Sequence, residues 1–153
     1  MCDVSVDKDF QRSFVGFYKV RRNHKWKEKY FGIMEAAKSG TSFADALHKI
    51  ADCTDRIEAS FASKLVATLD PSKPVIDKFV LEHFGMRLPH FKSENRKDKT
   101  TDLYERLRER YDELLDSKEG RHILEHFDRC YPGAEVSELK KIDLVLWQIR
   151  KKQ

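Results

Sequence analysis

The sequence predicts an all-α fold of about eight helices in a single domain, residues 1–153. Apolar residues recur at three- and four-residue spacing along nearly every segment, the period of a helix with one buried face. No segment sustains the two-residue alternation of a half-buried strand. Ser, Thr, Asp, Gly and Pro stand at the joints between the periodic runs, where open helix ends need hydrogen-bond partners.

In chain order, residues 7–22 form a first amphipathic helix, with Phe10, Phe14, Phe17 and Tyr18 at helical spacing. "HKWKEKYFGIMEAAK" is the second and ends near Ser39-Gly40, with Gly40 as its C-cap. "TSFADALHKIADC" opens on a Thr/Ser cap and puts Phe43, Leu47 and Ile50 on one face. Asp55 and Glu58 read as a capping box that opens "RIEASFASKLVATL". "DPSKP" (70–74) breaks the chain, because each proline restricts the residue before it. "VIDKFVLEHF" is a short helix closed by Gly85, and 86–99 is a polar surface loop. "TTDLYERLRERYDELLDS" buries Leu103, Leu107, Tyr111 and Leu114/Leu115. "EGRHILEHFDRCYPG" follows and stops at Pro132-Gly133. "SELKKIDLVLWQIRKK" is the last helix, with Ser137 as N-cap and basic residues in its final turn, where they favour the helix dipole.

Composition narrows the function classes. With 40% hydrophobic and 37% charged residues, the chain is globular and not disordered. No apolar run approaches the roughly 20 residues that span a bilayer. The N-terminus "MCDVSVDKDF" lacks a basic region followed by an apolar one, so no signal peptide is expected and a cytoplasmic location follows. Cys2, Cys53 and Cys130 are isolated thiols without a CxxC, which argues against a disulfide framework, zinc knuckle or iron–sulfur cluster. They read as buried or incidental.

Two patterns bear on chemistry. "HILEH" (122–126) matches the inverted zinc-protease motif and puts His122 and His126 on one helix face. A third ligand must follow within 27 residues that hold only Asp128, Glu135, Glu138 and Asp143 as acids, so neither a metal nor any other cofactor is expected. The net charge of +4 is concentrated in "RSFVGFYKVRRNHKWKEK" (12–29), where seven basic residues face Glu28 alone and aromatic residues interleave with them. Such a stretch suits a nucleic-acid surface. It equally suits a helix with a solvated basic face and an aromatic core stripe.

Asp77 stands between Val75-Ile76 and Phe79-Val80-Leu81, directly after the proline turn. An unpaired carboxylate is costly among apolar neighbours, so it is either a helix cap or a cap that also does chemistry. The stretch "EASFASKLVATLDPSKPVIDKFVLEHFG" (58–85) resembles the core of the helix-hairpin-helix DNA glycosylase superfamily, as a small divergent bacterial member would. The matching pieces are the small and apolar helix Ala62 to Leu69, the loop 70–74, the apolar pair with Asp77, and Val80 to Gly85. The resemblance implies a glycosylase-like core, nucleic-acid binding, duplex DNA as the expected partner, and base excision in which Asp77 stabilises the cationic sugar. Phosphate contacts are then expected from Arg21, Arg22, Lys25, Lys64 and Lys73. Two features depart from the superfamily pattern. No glycine lies between Gly40 and Gly85 to form the phosphate-binding hairpin. The lysine of the bifunctional members would fall near Ala59-Ser60, with Lys64 one turn later. The competing expectation is a non-enzymatic helical module that binds a protein partner through its charged faces.

Overall fold

A computed structural model of the chain describes residues 2–149. Among them are eight α-helices and no strand. The helices are α1 (Lys8–Tyr18), α2 (His24–Ala36), α3 (Phe43–Thr54), α4 (Ala59–Leu69), α5 (Lys78–His83), α6 (Arg96–Asp116), α7 (Lys118–Cys130) and α8 (Glu138–Gln148). A single 3₁₀ turn, Ala37–Ser39, extends α2 and ends at Gly40, whose φ of 124° favours glycine. No helix among the described residues is long and apolar enough to cross a membrane.

Local chemistry explains most of the boundaries. Asp7 caps α1 by accepting the Asp9 and Phe10 amides at 3.0 and 2.9 Å. Asn23 caps α2 through the Trp26 amide at 2.9 Å. Ser42 and Asp45 form a reciprocal capping box at α3. Ser137 caps α8 through the Lys140 amide, as its sequence position indicates.

Several boundaries differ from the sequence expectation. The first helix stops at Tyr18, not at residue 22: Lys19 turns left-handed (φ 51°) and the Val20 amide reaches back to the Val15 carbonyl at 3.0 Å. That reversal buries Val20, the apolar contact that commonly accompanies such a helix end. Asp55 and Glu58 form no capping box. Asp55 ends α3 in the left-handed region (φ 56°), and Glu58 precedes α4 without a side-chain cap. Helix α6 starts at Arg96 and takes the last residues of the expected 86–99 loop. The basic final turn expected for the last helix falls on Arg150, Lys151 and Lys152, outside the described residues; α8 itself ends at Gln148.

One hydrophobic core joins α1–α6 and α8. Phe14 packs against Tyr30 and Phe31 with ring centroids 5.7 and 5.6 Å apart. Phe43 stacks on Tyr104 at 3.9 Å. The aromatic stripe of α1 is thus largely a packing feature, since Phe14 is buried, although Phe17 stays exposed.

The α6–α7 corner is tight. The Ser117 hydroxyl donates to the Leu114 carbonyl at 2.6 Å and accepts the Gly120 amide at 3.0 Å. A Cβ on Gly120 would lie 1.9 Å from the Leu114 carbonyl oxygen, a backbone atom that cannot swing away. Gly120→Ala would ordinarily add about 1 kcal/mol of helix propensity. Here the overlap outweighs that gain, and we expect a net loss of about 1–3 kcal/mol, read as a lower urea midpoint with an unchanged slope.

Candidate active site

The site is built around a connecting segment that belongs to no helix, an exposed turn at 70–73 followed by the buried run 74–76. Residues 70–77 run from the end of α4 to the start of α5, and Pro74, Val75 and Ile76 are buried. Buried backbone amides and carbonyls need partners; side chains of α4 and α6 supply two of them, and the cap of α8 ties down the turn before them. Buried Ser63 of α4 accepts the Ile76 amide at 2.8 Å and donates to the Ser60 carbonyl at 2.8 Å. Tyr104 of α6 donates its hydroxyl to the Pro74 carbonyl at 3.1 Å. Ser137, the cap of α8, donates to the Pro71 carbonyl at 2.7 Å. At the end of this tethered run Asp77 accepts the Phe79 amide at 2.8 Å and caps α5. The capping role expected from the sequence is therefore present.

Asp77 also lies where two clefts meet. One, of about 770 Å³, carries Ser60, Lys78, Met86, Arg87 and Leu88 around it. The other, of about 410 Å³, is walled by Phe17, Tyr18, Phe79 and Trp147 and carries Lys19 and Lys64. Asp77 thus borders both clefts, with basic residues lining each.

Lys64 is the cation that the fold brings to Asp77. Its ammonium lies 4.9 Å from the Phe61 ring and 5.4 Å from the Tyr18 ring. Burial lowers its pKa below the ordinary 10.5; Asp77 pulls the other way, Arg22 pushes it down further, and Glu58 raises it. The result is a half-buried amine whose neutral form is more accessible than that of a surface lysine.

A second polar cluster stands behind the aromatic wall. Asp143 of α8 is fully buried, accepts the Tyr111 hydroxyl at 2.9 Å and pairs with Lys140 at 2.8 Å. Burial pushes the Asp143 carboxyl up, against the opposing pull of Lys140 and Tyr111. Lys140 faces the rings of Trp147, Phe17 and Tyr18 at 5.0, 5.4 and 5.7 Å. It clamps the rings that wall the smaller cleft, a favourable contact for a partly desolvated cation.

Of the sequence-predicted basic residues, only Lys64 joins Asp77. Arg22 is held by Glu58 at 3.0 and 3.1 Å and lies over Trp26 and Phe61, so it is a strut between the α1–α2 turn and α4. Arg21 and Lys25 are exposed, and Lys25 lines a separate hollow with Trp26 and Asp55. Lys73 lies 3.8 Å from Asp70 in its own turn. Lys78, Arg87 and the walls Phe79 and Trp147 were not singled out by the sequence reading. Their one local signal is proximity to Asp77 for Lys78 and Phe79; Trp147 arrives from the far end of the chain. His122 and His126 are both exposed on α7, and among the described residues no group of three His, Cys, Asp or Glu side chains is placed to hold a metal ion. Cys2, Cys53 and Cys130 are all exposed, which excludes the buried reading of these thiols. Comparison of the chain with family models, curated proteins and solved structures found no match.

Two measurements test this geometry. Asp77→Ala removes the cap and is expected to cost about 1 kcal/mol, whereas Asp77→Asn keeps an accepting oxygen and leaves stability nearly unchanged. Lys64 should react with an amine-specific reagent with a midpoint below 10.5, and Asp77→Asn should lower that midpoint further by removing the charge that favours the ammonium. Because the folded-state pKa is the lower one, the unfolded chain holds this proton more tightly. The Lys64 contribution to stability is therefore full above 10.5 and is lost as pH falls through the lowered folded value. Lys64→Met should flatten that part of the stability–pH curve.

Proposed function

We propose that the protein is a divergent DNA-glycosylase-like protein that binds nucleic acid and releases a base by cleaving the N-glycosidic bond. The observation that carries the reading is Asp77 at the junction of two clefts, with Lys19, Lys64, Lys78 and Arg87 around it. Support also comes from the path of the chain. Helices α3 and α4 pack across a four-residue turn, 55–58, and α4 leads through the 70–76 segment to an aspartate-capped helix. The part of this path from α4 to the aspartate is the one on which the resemblance to the helix-hairpin-helix superfamily rests; the α3–α4 turn has no glycine and departs from the superfamily pattern. Asp55 takes the left-handed position in that turn (φ 56°), a role glycine more commonly fills.

The chemistry follows from charge. As the bond between base and sugar breaks, the electron pair leaves with the base and positive charge develops on the sugar ring. A carboxylate fixed by the Phe79 amide stabilises that cation without having to reorganise. The smaller cleft is of a size with small-molecule sites, about 300–1,000 Å³. Its aromatic walls suit a base that has left the helical stack. Lys19, Lys78 and Arg87 then face phosphates. A second reading is favoured by the position of Lys64. Its partly desolvated amine shares the cleft with Asp77; on this reading it attacks the sugar carbon as the bond to the base breaks, its proton passes to the departing base, and opening of the ring C–O bond then gives a covalent imine.

The deciding assay measures base release from a panel of damaged duplexes, with binding to an abasic-site analogue measured alongside. Wild type is expected to release base. Asp77→Asn should abolish release while binding persists, because the amide keeps the cap but not the charge. Borohydride trapping of an enzyme–DNA adduct that disappears in Lys64→Met would establish the covalent route. Wild type that releases no base, or an Asn variant as active as wild type, would leave Asp77 as a cap alone in a non-enzymatic helical module.

A further inference from the structure

We infer that the smaller cleft beside Asp77 is a binding site for a free planar aromatic aldehyde that carries an anionic substituent, held as an imine on Lys64. The inference goes beyond base release and needs no nucleic acid.

The walls of the cleft set the size and flatness of the ligand. Its volume of about 410 Å³ falls within the range of small-molecule sites, about 300–1,000 Å³. Four rings line it: Phe17 and Tyr18 at the end of α1, Phe79 in α5 and Trp147 in α8. Three of them support one another. Trp147 lies 5.6 Å from Phe17 and 5.9 Å from Tyr18, and Phe17 lies 4.8 Å from Tyr18. A flat π-system covers such walls with little further ordering of side chains.

The polar groups set its chemistry. The Lys64 amine packs against the Tyr18 and Phe61 rings and lines the cleft with Asp77. Desolvation lowers its pKa, so more of it is the neutral nucleophile than at a surface lysine. That amine attacks the aldehyde carbon. The N–C bond forms as the C=O π pair moves onto oxygen. Two protons then pass from nitrogen to that oxygen, the C–O bond breaks and water leaves, giving C=N. Asp77 is the carboxylate of the cleft that carries these protons. Conjugation with an aromatic ring stabilises the C=N bond, which an aliphatic aldehyde cannot match.

Charge sets the substituent. Lys19 and Lys64 line the cleft against Asp77 alone. The charges packed next to it cancel in pairs, Lys140 with Asp143 at 2.8 Å and Arg22 with Glu58 at 3.0 Å. Protonated, the imine keeps the Lys64 charge, and the ligand lies among two cations and one carboxylate. An anionic substituent completes that balance, with exposed Lys19 as its partner.

The test uses the full chain and three aldehydes of one shape: para-formylbenzoate, para-methoxybenzaldehyde and para-trimethylammonio-benzaldehyde. Butanal is the non-aromatic control. Borohydride reduces each imine to a stable amine, and peptide mapping locates it. Labelling of Lys64 is normalised to that of exposed Lys8 and Lys25 by the same aldehyde. At limiting aldehyde, para-formylbenzoate is expected to label Lys64 first and in preference to the other three. Lys19→Gln should lower that labelling about threefold, the size of one exposed ion pair, and leave para-methoxybenzaldehyde unaffected. Phe17→Ala should lower labelling by both aldehydes about fivefold. Lys64→Arg, which keeps the charge but forms no imine, should remove the preferred adduct without moving it to another lysine. Circular dichroism checks that each variant is folded. Lys64 labelled no faster than Lys8, or labelled equally by all three charge types or by butanal, overturns the inference; base release by such a protein leaves the earlier reading standing. Preferred labelling of Lys64 by para-formylbenzoate in a protein that releases no base supports the inference while that reading fails.

Discussion

The structure depends on one constraint: the buried run 74–76 between α4 and α5 has no sheet to satisfy its backbone. Ser63 of α4 and Tyr104 of α6 meet that need one polar group at a time, and Ser137 at the start of α8 ties down the exposed turn before it through the Pro71 carbonyl. Each hydrogen bond is worth only about 1 kcal/mol net, but a buried group left without a partner costs more than a formed bond contributes. The segment therefore has one favourable path, and its path sets where Asp77 emerges. An apolar replacement at position 63 would leave the Ile76 amide buried without an acceptor and would free the approach to α5. The site is in this sense a consequence of backbone accounting, prior to any question of catalysis.

Around that segment the fold accepts charges that packing alone would reject. Lys64 is desolvated between two aromatic rings, and Asp143 is fully buried with a carboxyl pushed toward its neutral form. Buried ion pairs seldom exceed well-packed apolar replacements in stability. The two groups share a neighbourhood: Asp77 acts electrostatically on Lys64, on Asp143 and on Tyr111. Such shifts accompany functional sites and structural ion-pair networks alike; here Asp143 and Tyr111 are buried and only Asp77 and Lys64 line a cleft. The Arg22–Glu58 pair belongs to the same row of charges but faces the α1–α2 turn. Its geometry, two short bonds to one carboxylate beneath two rings, is that of a strut.

The basic stretch 12–29 shows how one pattern divides in three dimensions. Its aromatic residues fall on both sides of a helix end. Phe14 joins the core, Phe17 and Tyr18 wall the smaller cleft, and Trp26 stacks on Tyr30 at 4.8 Å. Its cations divide likewise, with Lys19 at the cleft, Arg22 in an ion pair and Lys25 beside a different hollow. Charge and aromaticity along the chain are therefore a poor guide to which residues share a surface, because the left-handed turn at Lys19 redirects everything after it.

The sequence by itself determined the helical class, the approximate number of helices, a Thr/Ser cap at 41–42, the caps at Asp77 and Ser137, and the break at 70–74. These rest on local chemistry: the 3.6-residue period, side-chain oxygens that satisfy neighbouring amides, and prolines that restrict their predecessors. It also singled out Asp77, because a carboxylate between apolar residues demands a local explanation. Only the tertiary structure decided the rest. Asp55 and Glu58 have the spacing of a capping box, but the turn between α3 and α4 uses Asp55 for its left-handed step and commits Glu58 to Arg22. The cleft walls come from α1, α5 and α8, and the anchors of the 70–77 segment from α4, α6 and the cap of α8. No local pattern can encode such meetings, since they depend on how separate helices pack and on which backbone groups that packing removes from water.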